Sequence, residues 1–438
     1  MRAALPSPDR QGIYPATVAT LAGVSGALHV AKLFPAVPVL RDSFGITLLQ
    51  AGFLLSAVQL AGMTLGLAVG LLADGLGLKR CMLAGLGVLA GAGALAASTQ
   101  SAAQLLALRA LEGVGFLLVC TPAPALIRQL VAPSRLGAVL GIWSAYMPFA
   151  TALALLLGPA LILLAGWQVW WWILSALSLA MAVWLWRVVP PDASLKSQPA
   201  SMADRAAGQG PLPVHGAAKT TWANRLRQTL CCPGPWLVAL TFAVYSAQWV
   251  AVIGFLPSIY THAGFAVGAT AWLTALAAAV NIVGNVASGR LLSRGVRPQA
   301  LLYTGFGVMG VAAFVAFTNV GFAAITAPDG TGLLPVVRFI AVLLFSMVGG
   351  VVPGTLFSLA VRLAPGKDTV STTVGWMQQW SAAGQFAGPP LVAWVASSAG
   401  GWQWTWAVTG TCCVAGLLLA RLVGARLAPG ASSAPSGT

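Results

Sequence analysis

Twelve apolar runs divide this sequence, each about as long as the hydrocarbon layer of a bilayer is thick, and that pattern excludes most other folds. An apolar stretch of about 18 residues or more reads as a membrane-spanning helix, because a helix satisfies its own backbone hydrogen bonds inside lipid. The runs begin near Ile13, Ile46, Cys81, Ala102, Leu136 and Val169. After a gap they resume near Trp236, Ala269, Ala300, Leu333, Val370 and Trp404. Hydrophobic residues make up 58% of the 438 and charged residues 7%, too few charges to cover a water-soluble globule of this size. The fold class is an all-α polytopic membrane protein of 12 transmembrane helices in two six-helix halves. The gap is rich in Pro, Gly, Ala, Ser and bases, and forms the one long polar linker. The expected organisation is an N-terminal segment (1–12), a six-helix bundle (13–189), a linker (190–235), a second six-helix bundle (236–425) and a tail (426–438).

The net charge of +15 would suggest nucleic acid in a soluble chain, but its distribution points elsewhere. With the N-terminus inside, nineteen of the 23 Lys and Arg fall on the cytoplasmic side, among them Arg2, Lys79, Arg187, Arg205, Arg294 and Arg421. Only Arg41 falls outside, and Lys32, Arg109 and Arg338 remain within spans. The positive-inside rule therefore puts both termini in the cytoplasm, and no nucleic acid is needed. The apolar run after residue 12 is too long for a signal peptide and reads as a retained first span. The six cysteines lie within spans or on the cytoplasmic side. Neither a disulfide framework nor a metal site is indicated, and no cofactor is expected.

Internal repetition relates the two halves. Ala132-Pro-Ser-Arg135 recurs as Ala364-Pro-Gly-Lys367, Gly158-Pro159 as Gly388-Pro389, and Gly166-Trp-Gln168 as Gly401-Trp-Gln403, always in the same order. Between the second and third runs stands Gly70-Leu-Leu-Ala-Asp74-Gly-Leu-Gly77-Leu-Lys79-Arg80, read as a short polar loop. It resembles the signature Gly-x-x-x-Asp-Arg-x-Gly-Arg-Lys of the major facilitator superfamily of secondary transporters. Gly70, Asp74, Gly77 and Lys79 fit, while Gly75 and Leu78 stand where the family has arginines. The resemblance implies that Asp74 helps to lock a gate, with Arg128 and Arg135 as its partners by position. A weaker echo, Gly289-Arg-Leu-Leu-Ser-Arg-Gly295, follows the eighth run, with Ser293 in place of the acid.

The fourth run carries Leu106-Ala-Leu-Arg109-Ala-Leu-Glu112-Gly113-Val-Gly115, similar to the family's Leu-x-x-Arg-x-x-x-Gly-x-Gly. Arg109 and Glu112 stand three apart on one helix face. At ~1.5 Å per residue Glu112 lies roughly 15 Å deep. An ionisable group at that depth is a functional candidate by default; it could carry a coupled proton or form a static pair with Arg109, and the sequence leaves both open. Lys32 lies in the outer third of the first span, one turn from His29, and Arg338 a few residues into the tenth. Snorkelling to the interface explains Arg338 easily and Lys32 less well. In transporters that this chain resembles, spans one, four, seven and ten line the central cavity. That resemblance implies a cavity with three bases against one acid, suited to a small anion. Tyr245, Gln248 and Trp249 of span seven, and Asn281 and Asn285 of span eight, are then candidate substrate contacts.

The glycines of the family's antiporter motif are only partly present in the fifth span: Gly158-Pro159 remains, while Ala145, Ala154 and Ile162-Leu163 depart from it. The eleventh span keeps Gly375, Gly384 and Gly388-Pro389, which close helix packing explains. Tryptophans 167, 170, 171, 172, 402, 404 and 406 sit at span ends, as an interfacial belt would place them. Gly23-Val-Ser25 with His29 one turn on looks like a fragment of rhomboid proteases, but those place the base on a separate helix. A non-transporting membrane sensor would need a sizeable soluble domain. The expectation is thus a monomeric, bilayer-embedded inner-membrane transporter for a small, anionic solute, with a proton as coupling ion and no enzyme activity. A drug or metabolite exporter on the same fold is the alternative. Trp143-Ser-Ala-Tyr-Met-Pro148 and the Gly-Trp-Gln pairs resemble the cyanate/nitroimidazole-type permeases.

The orientation is checked by single cysteines at Pro8 and Ala263 in a background lacking accessible native cysteines. An impermeant thiol reagent applied to intact cells is expected to label position 263 and spare position 8; the reverse would overturn the topology.

Overall fold

The computed structural model describes residues 12–193, 222–318, 334–366 and 369–427, and of residues 70–75, 133, 134, 137, 138, 334 and 371 the helical backbone alone. Among the described residues every regular element is a helix. The first half begins with α1 (Ile13–Ala31) and the short α2 (Val37–Phe44). Span two is broken: α3 (Leu48–Ser56) passes through a 3-10 turn (Ala57–Gln59) into α4 (Leu60–Leu76). Then come α5 (Leu78–Ala97), α6 (Ala102–Cys120) with its extension α7 (Ala123–Leu130), α8 (Pro133–Ser144) with α9 (Tyr146–Ala165), and α10 (Trp167–Val188). The second half opens with an amphipathic helix, α11 (Trp222–Cys231), ahead of α12 (Pro233–His262). Span eight is α13 (Val267–Ala279) plus α14 (Asn281–Ser293), and span nine is α15 (Pro298–Phe317). Span ten is α16 (Leu334–Gly349) plus α17 (Val351–Leu363), and α18 (Val370–Ser398) and α19 (Thr405–Leu427) complete the half.

Eleven of these segments are long and apolar enough to cross a membrane. The twelfth span is α18, whose 29 residues suffice in length but include Gln378, Gln379 and Gln385. Twelve spans in two halves of six are therefore present, and each starts within about three residues of its apolar run. Local chemistry sets several starts. Thr47 and Gln50 close a capping box on α3, at 3.2 and 2.8 Å, and Ser101 accepts from the Gln104 N–H at 3.2 Å. The end of the expected linker differs from the sequence reading, because residues 222–231 already form α11. The rest of the linker, the segment 1–11 and the tail from 428 lie outside the described residues, as do Arg205 and Lys367.

A second expectation needs correcting. The stretch from Gly70 to Arg80 is not a loop: α4 runs to Leu76, α5 starts at Leu78, and Gly77 alone separates them. Gly77 has φ +106°, a conformation that side chains disfavour, and this lets the chain reverse in one residue. A Cβ there would come within 2.4 Å of the Asp192 carboxylate. That carboxylate, just past α10, accepts from the backbone N–H groups of Lys79 at 2.9 Å and Arg80 at 3.2 Å, and so caps α5. Lys79 is buried, and its Nζ donates to the carbonyls of Trp186 at 2.8 Å and Val189 at 2.5 Å, at the C-terminus of α10. The reversal thus ties span three to span six. Gly295, in the related stretch of the second half, also has positive φ, +85°.

Within the first half α1 packs on α6, α9 and α10, and within the second α12 packs on α18, α19 and α17. The halves meet along two seams, α3 and α4 against α18, and α9 against α13. Small residues allow the closest approaches. A Cβ on Gly384 or Gly388 of α18 would lie 2.1 Å from the carbonyl oxygen of Ala243 or Ala247 on α12. Gly388→Ala should therefore force α12 and α18 apart, at a cost of about 1–3 kcal/mol, as overpacking typically does. Gly87→Ala, whose added methyl meets nothing within 4 Å, should cost nothing comparable. Thermal unfolding of the two purified variants in detergent separates them; equal midpoints would refute the close contact.

Candidate functional site

Spans one, four and six bring their few polar side chains to one place inside the first half. Glu112 Oε1 is ion-paired with Lys32 Nζ, and its Oε2 accepts from Arg109 Nη1 at 2.5 Å. Arg109 also donates from Nη1 to the His29 carbonyl at 2.6 Å and from Nη2 to the Val30 carbonyl at 3.4 Å, near the end of α1. His29 Nδ1 lies 3.2 Å from Lys32 Nζ and 3.4 Å from Glu112 Oε1. On its other side, Nε2 lies 2.9 Å from Ser178 Oγ and 3.3 Å from the Leu174 carbonyl on α10. Ser178 Oγ stands 3.0 Å from Ser25 Oγ. Lys32 caps the C-terminus of α1, and its ammonium sits 4.7 Å from the centre of the Trp171 ring, within cation–π range. Lys32, His29, Arg109 and Glu112 are all 0% exposed.

Helix geometry explains the assembly. Ser25, His29 and Lys32 recur at spacings of four and three, so they line one stripe of α1, and Arg109 and Glu112 line one stripe of α6. Facing them from α5 is Gly93, where a Cβ would lie 2.4 Å from Ser175 Oγ and 3.0 Å from His29 Cε1. With His29 neutral, the cluster sets two bases against one acid and holds one excess positive charge.

Of the three expected cavity bases, Lys32 and Arg109 meet in this cluster. Arg338 does not join Lys32 and Arg109: it stands one turn into α16, partly exposed, and donates to the Thr318 carbonyl at 2.9 Å, at the end of α15. The candidates of the second half also separate into two faces. Asn281 Nδ2 donates to the Tyr245 hydroxyl at 3.1 Å and to the Ser346 carbonyl at 2.7 Å, and its Oδ1 accepts from Asn285 at 2.8 Å. Trp249 Nε1 donates to Ser346 Oγ at 3.1 Å, which makes one buried network across spans seven, eight and ten. Gln248 turns away from it, accepting from the Cys413 thiol of α19 at 3.2 Å. Arg128 ends α7 and Arg135 begins α8, both exposed, while the Asp74 side chain lies outside the described residues.

One further reading changes, and the set-aside protease fragment stays set aside. Trp167, Trp170 and Trp171 are buried rather than interfacial, and Trp170 Nε1 donates to the Lys32 carbonyl at 3.2 Å; Trp172 and Trp404 are half-exposed, as a belt residue would be. Ser25 bonds to Ser178, and it is Ser178 that meets His29, so the Ser25–His29 fragment is not a nucleophile and its base. Ser178, Trp171 and Asp192 were not legible as site residues, because nothing in the sequence couples span six to span one or three. His29 had a signal, its one-turn spacing from Lys32.

A profile described as the Major Facilitator Superfamily matches residues 16–389. A methylenomycin A resistance protein of Bacillus subtilis is 29% identical over 163 residues, 37% of this chain and 35% of that protein. The putative uncharacterized transporter YgaY of Escherichia coli is 30% identical over 177 residues, 39% of this chain and 44% of that protein. The matched stretch thus spans less than half the length of either relative. A bacterial homolog of the human lysosomal transporter Spinster, solved inward-facing and unoccupied, superposes with a TM-score of 0.71 over 96% of this chain and 98% of its own, at 16% identity. At that identity the likeness is one of fold.

Removing one member of a buried ion pair typically costs about 3–5 kcal/mol, because the partner charge is left unmatched. Glu112→Ala is expected to lower thermal stability on that scale. The double variant Lys32→Met, Glu112→Ala should lose less than the sum of its single changes. Additive losses in the unfolding midpoints would mean that the two charges are not coupled.

Proposed function

The chain belongs to the Major Facilitator Superfamily, and we propose that it is a secondary active transporter moving a small organic anion by alternating access, with a proton as coupling ion. Membership makes it a transporter and not an enzyme, embedded in the membrane by many passes. The observation that supports the finer reading is the sealed cluster of Lys32, Arg109 and Glu112. With Glu112 ionised, both bases are held on its carboxylate. A proton on Glu112 releases Lys32, whose ammonium is then free to take the carboxylate of a substrate. Proton and anion thereby enter one cycle together, and a buried charge is matched at each stage. Lys32 adjoins the seam between the halves: Phe34, two residues on, lies 3.5 Å from where a Cβ of Gly254 on α12 would stand. Tyr245 and Asn281 offer neutral hydrogen-bonding groups in the second half, while Gln248 and Arg338 are left to secondary roles.

Asp74 is assigned to gating, with Arg128 and Arg135 as partners, because it stands next to the Gly77 reversal. Asp74→Asn should slow turnover and leave affinity within a few-fold; lost affinity with normal turnover would put it in the wrong role. The protein is placed in a bacterial-type inner membrane as a monomer, with both termini cytoplasmic. Export is the second reading, favoured by the relative named for methylenomycin A resistance. Proteoliposomes and a panel of labelled mono- and dicarboxylates and organic cations test the proposal. Glu112→Gln should abolish accumulation driven by a pH gradient and spare substrate counterflow. Lys32→Gln should weaken affinity in both assays, by about 30-fold for a loss of about 2 kcal/mol. Transport of a cation with Lys32→Gln unimpaired would overturn the anion reading.

A further inference from the structure

The proposed coupling leaves a question of delivery, since Glu112 is wholly buried and a proton has to reach it. We infer that Ser25, Ser178 and His29 form the route by which that proton reaches Glu112, a reading that rests on the proton coupling proposed above. The three are consecutive links of one hydrogen-bonded chain: Ser25 Oγ to Ser178 Oγ at 3.0 Å, Ser178 Oγ to His29 Nε2 at 2.9 Å, and His29 Nδ1 to Glu112 Oε1 at 3.4 Å. Ser25 and His29 are four residues apart on α1, so those two links are separated by roughly 6 Å along the bundle axis. Ser25 is its end nearer to Ile13, on the side where Lys79 and Asp192 join spans three and six.

Each link has the chemistry that a relay requires. A hydroxyl donates and accepts at the same oxygen, and an imidazole accepts at one nitrogen while it donates from the other. Ser25 is itself buried, 2% exposed; a proton handed to its hydroxyl displaces the Ser25 hydroxyl proton onto Ser178 Oγ, and the Ser178 proton moves to His29 Nε2. The imidazolium so formed gives up its Nδ1 proton to Glu112 Oε1. The products are a neutral ring protonated on Nε2, two intact hydroxyls and a neutral carboxyl group. Rotation of the hydroxyls and return of the ring to its Nδ1 tautomer reset the chain. The groups facing His29 are Lys32 on α1, Arg109 and Glu112 on α6, and Ser178 with the Leu174 carbonyl on α10, while α5 presents only Gly93. Lys32 shares His29 Nδ1 and Glu112 Oε1 in this arrangement, so arrival of the proton at Glu112 and release of Lys32 are one exchange at the same two atoms. Any buried imidazole needs a partner at each nitrogen; what a relay needs besides is that the two partners lead in opposite directions, here to Ser178 and to Glu112.

The test uses protons as the probe and requires no substrate. The purified full chain in detergent is subjected to an acid jump while the carboxyl C=O stretch is followed by time-resolved infrared spectroscopy. The part of the signal missing in Glu112→Gln belongs to Glu112. In His29→Gln and Ser178→Ala that signal should rise about tenfold more slowly or worse, as expected when a positioned proton carrier is lost. Ser178→Thr, which keeps the hydroxyl, should restore the wild-type rate. An unchanged rate in both His29→Gln and Ser178→Ala would overturn the route and leave Glu112 as the proton carrier. Absence of any Glu112-dependent signal in the wild type would remove the coupling reading itself. Should His29→Gln fail to fold, the Ser178→Ala and Ser178→Thr pair decides alone.

Discussion

One carboxylate holds the first half together. Glu112 is met by a base from its own helix and by a base from α1, and Arg109 goes on to bind the last carbonyls of α1. Apolar side chains attract one another little more than they attract lipid, so directional contacts set the register of helices in a membrane. An ion pair with hydrogen bonds at both ends is the most directional contact available there. Its desolvation cost is high, and that cost makes it specific: any register that parts Lys32 from Glu112 leaves two bare charges in a dry bundle. The Trp171 face beneath Lys32 and the Trp170 bond to the Lys32 carbonyl add a second layer of positioning from α10.

Contacts between the halves are of another kind. Along the seam of α3 and α4 with α18, Gln59 Nε2 donates to Gln385 Oε1 at 2.8 Å, and Gln379 Nε2 donates to the Met63 carbonyl at 2.9 Å. The backbones approach through Gly52 beside Pro390 and Gly62 beside Ala382. Neutral amides and small residues can be parted and re-paired at modest cost, because an amide released from one partner finds another. Charges fix the register of α1 on α6 and of α5 on α10, and neutral contacts join the halves along this seam. On the alternating access proposed above, that division of strength lets one half rock against the other without breaking either.

The elements were legible in the sequence because a span needs only length and hydropathy, which are local properties. The pairing of Arg109 with Glu112 was legible too, as a spacing on one helix. Lys32 was grouped with them only through the family resemblance, since nothing local says which way the end of α1 faces. Arg338 was grouped on the same ground. It shares the composition signal of the other intramembrane bases, yet the nearby end of α15 takes its guanidinium. Tryptophans 167, 170 and 171 were misread because residue type and position near a span end are the same for a belt and for an inward wall. The stretch from Gly70 to Arg80 read as a loop by its charges. Its polar backbone is instead satisfied by Asp192, more than a hundred residues away in the chain, so helices continue on both sides of Gly77.

Duplication of the scaffold without duplication of its charges has a physical consequence. The halves repeat their proline and glycine positions, and both carry a positive-φ glycine after the second span of the half. Where α1 and α6 carry Lys32 and Glu112, the corresponding network of α12, α14 and α16 is built from Tyr245, Asn281, Ser346 and Trp249, all neutral. A neutral network responds little to protonation, whereas a cluster with an excess charge changes its electrostatic balance with every proton or anion that arrives. On the proposed coupling, the free energy that depends on ligand charge resides in the first half, and the second presents a wall of fixed hydrogen-bonding groups. On that same reading, one half senses the charge state and the other gives it a constant surface to close against.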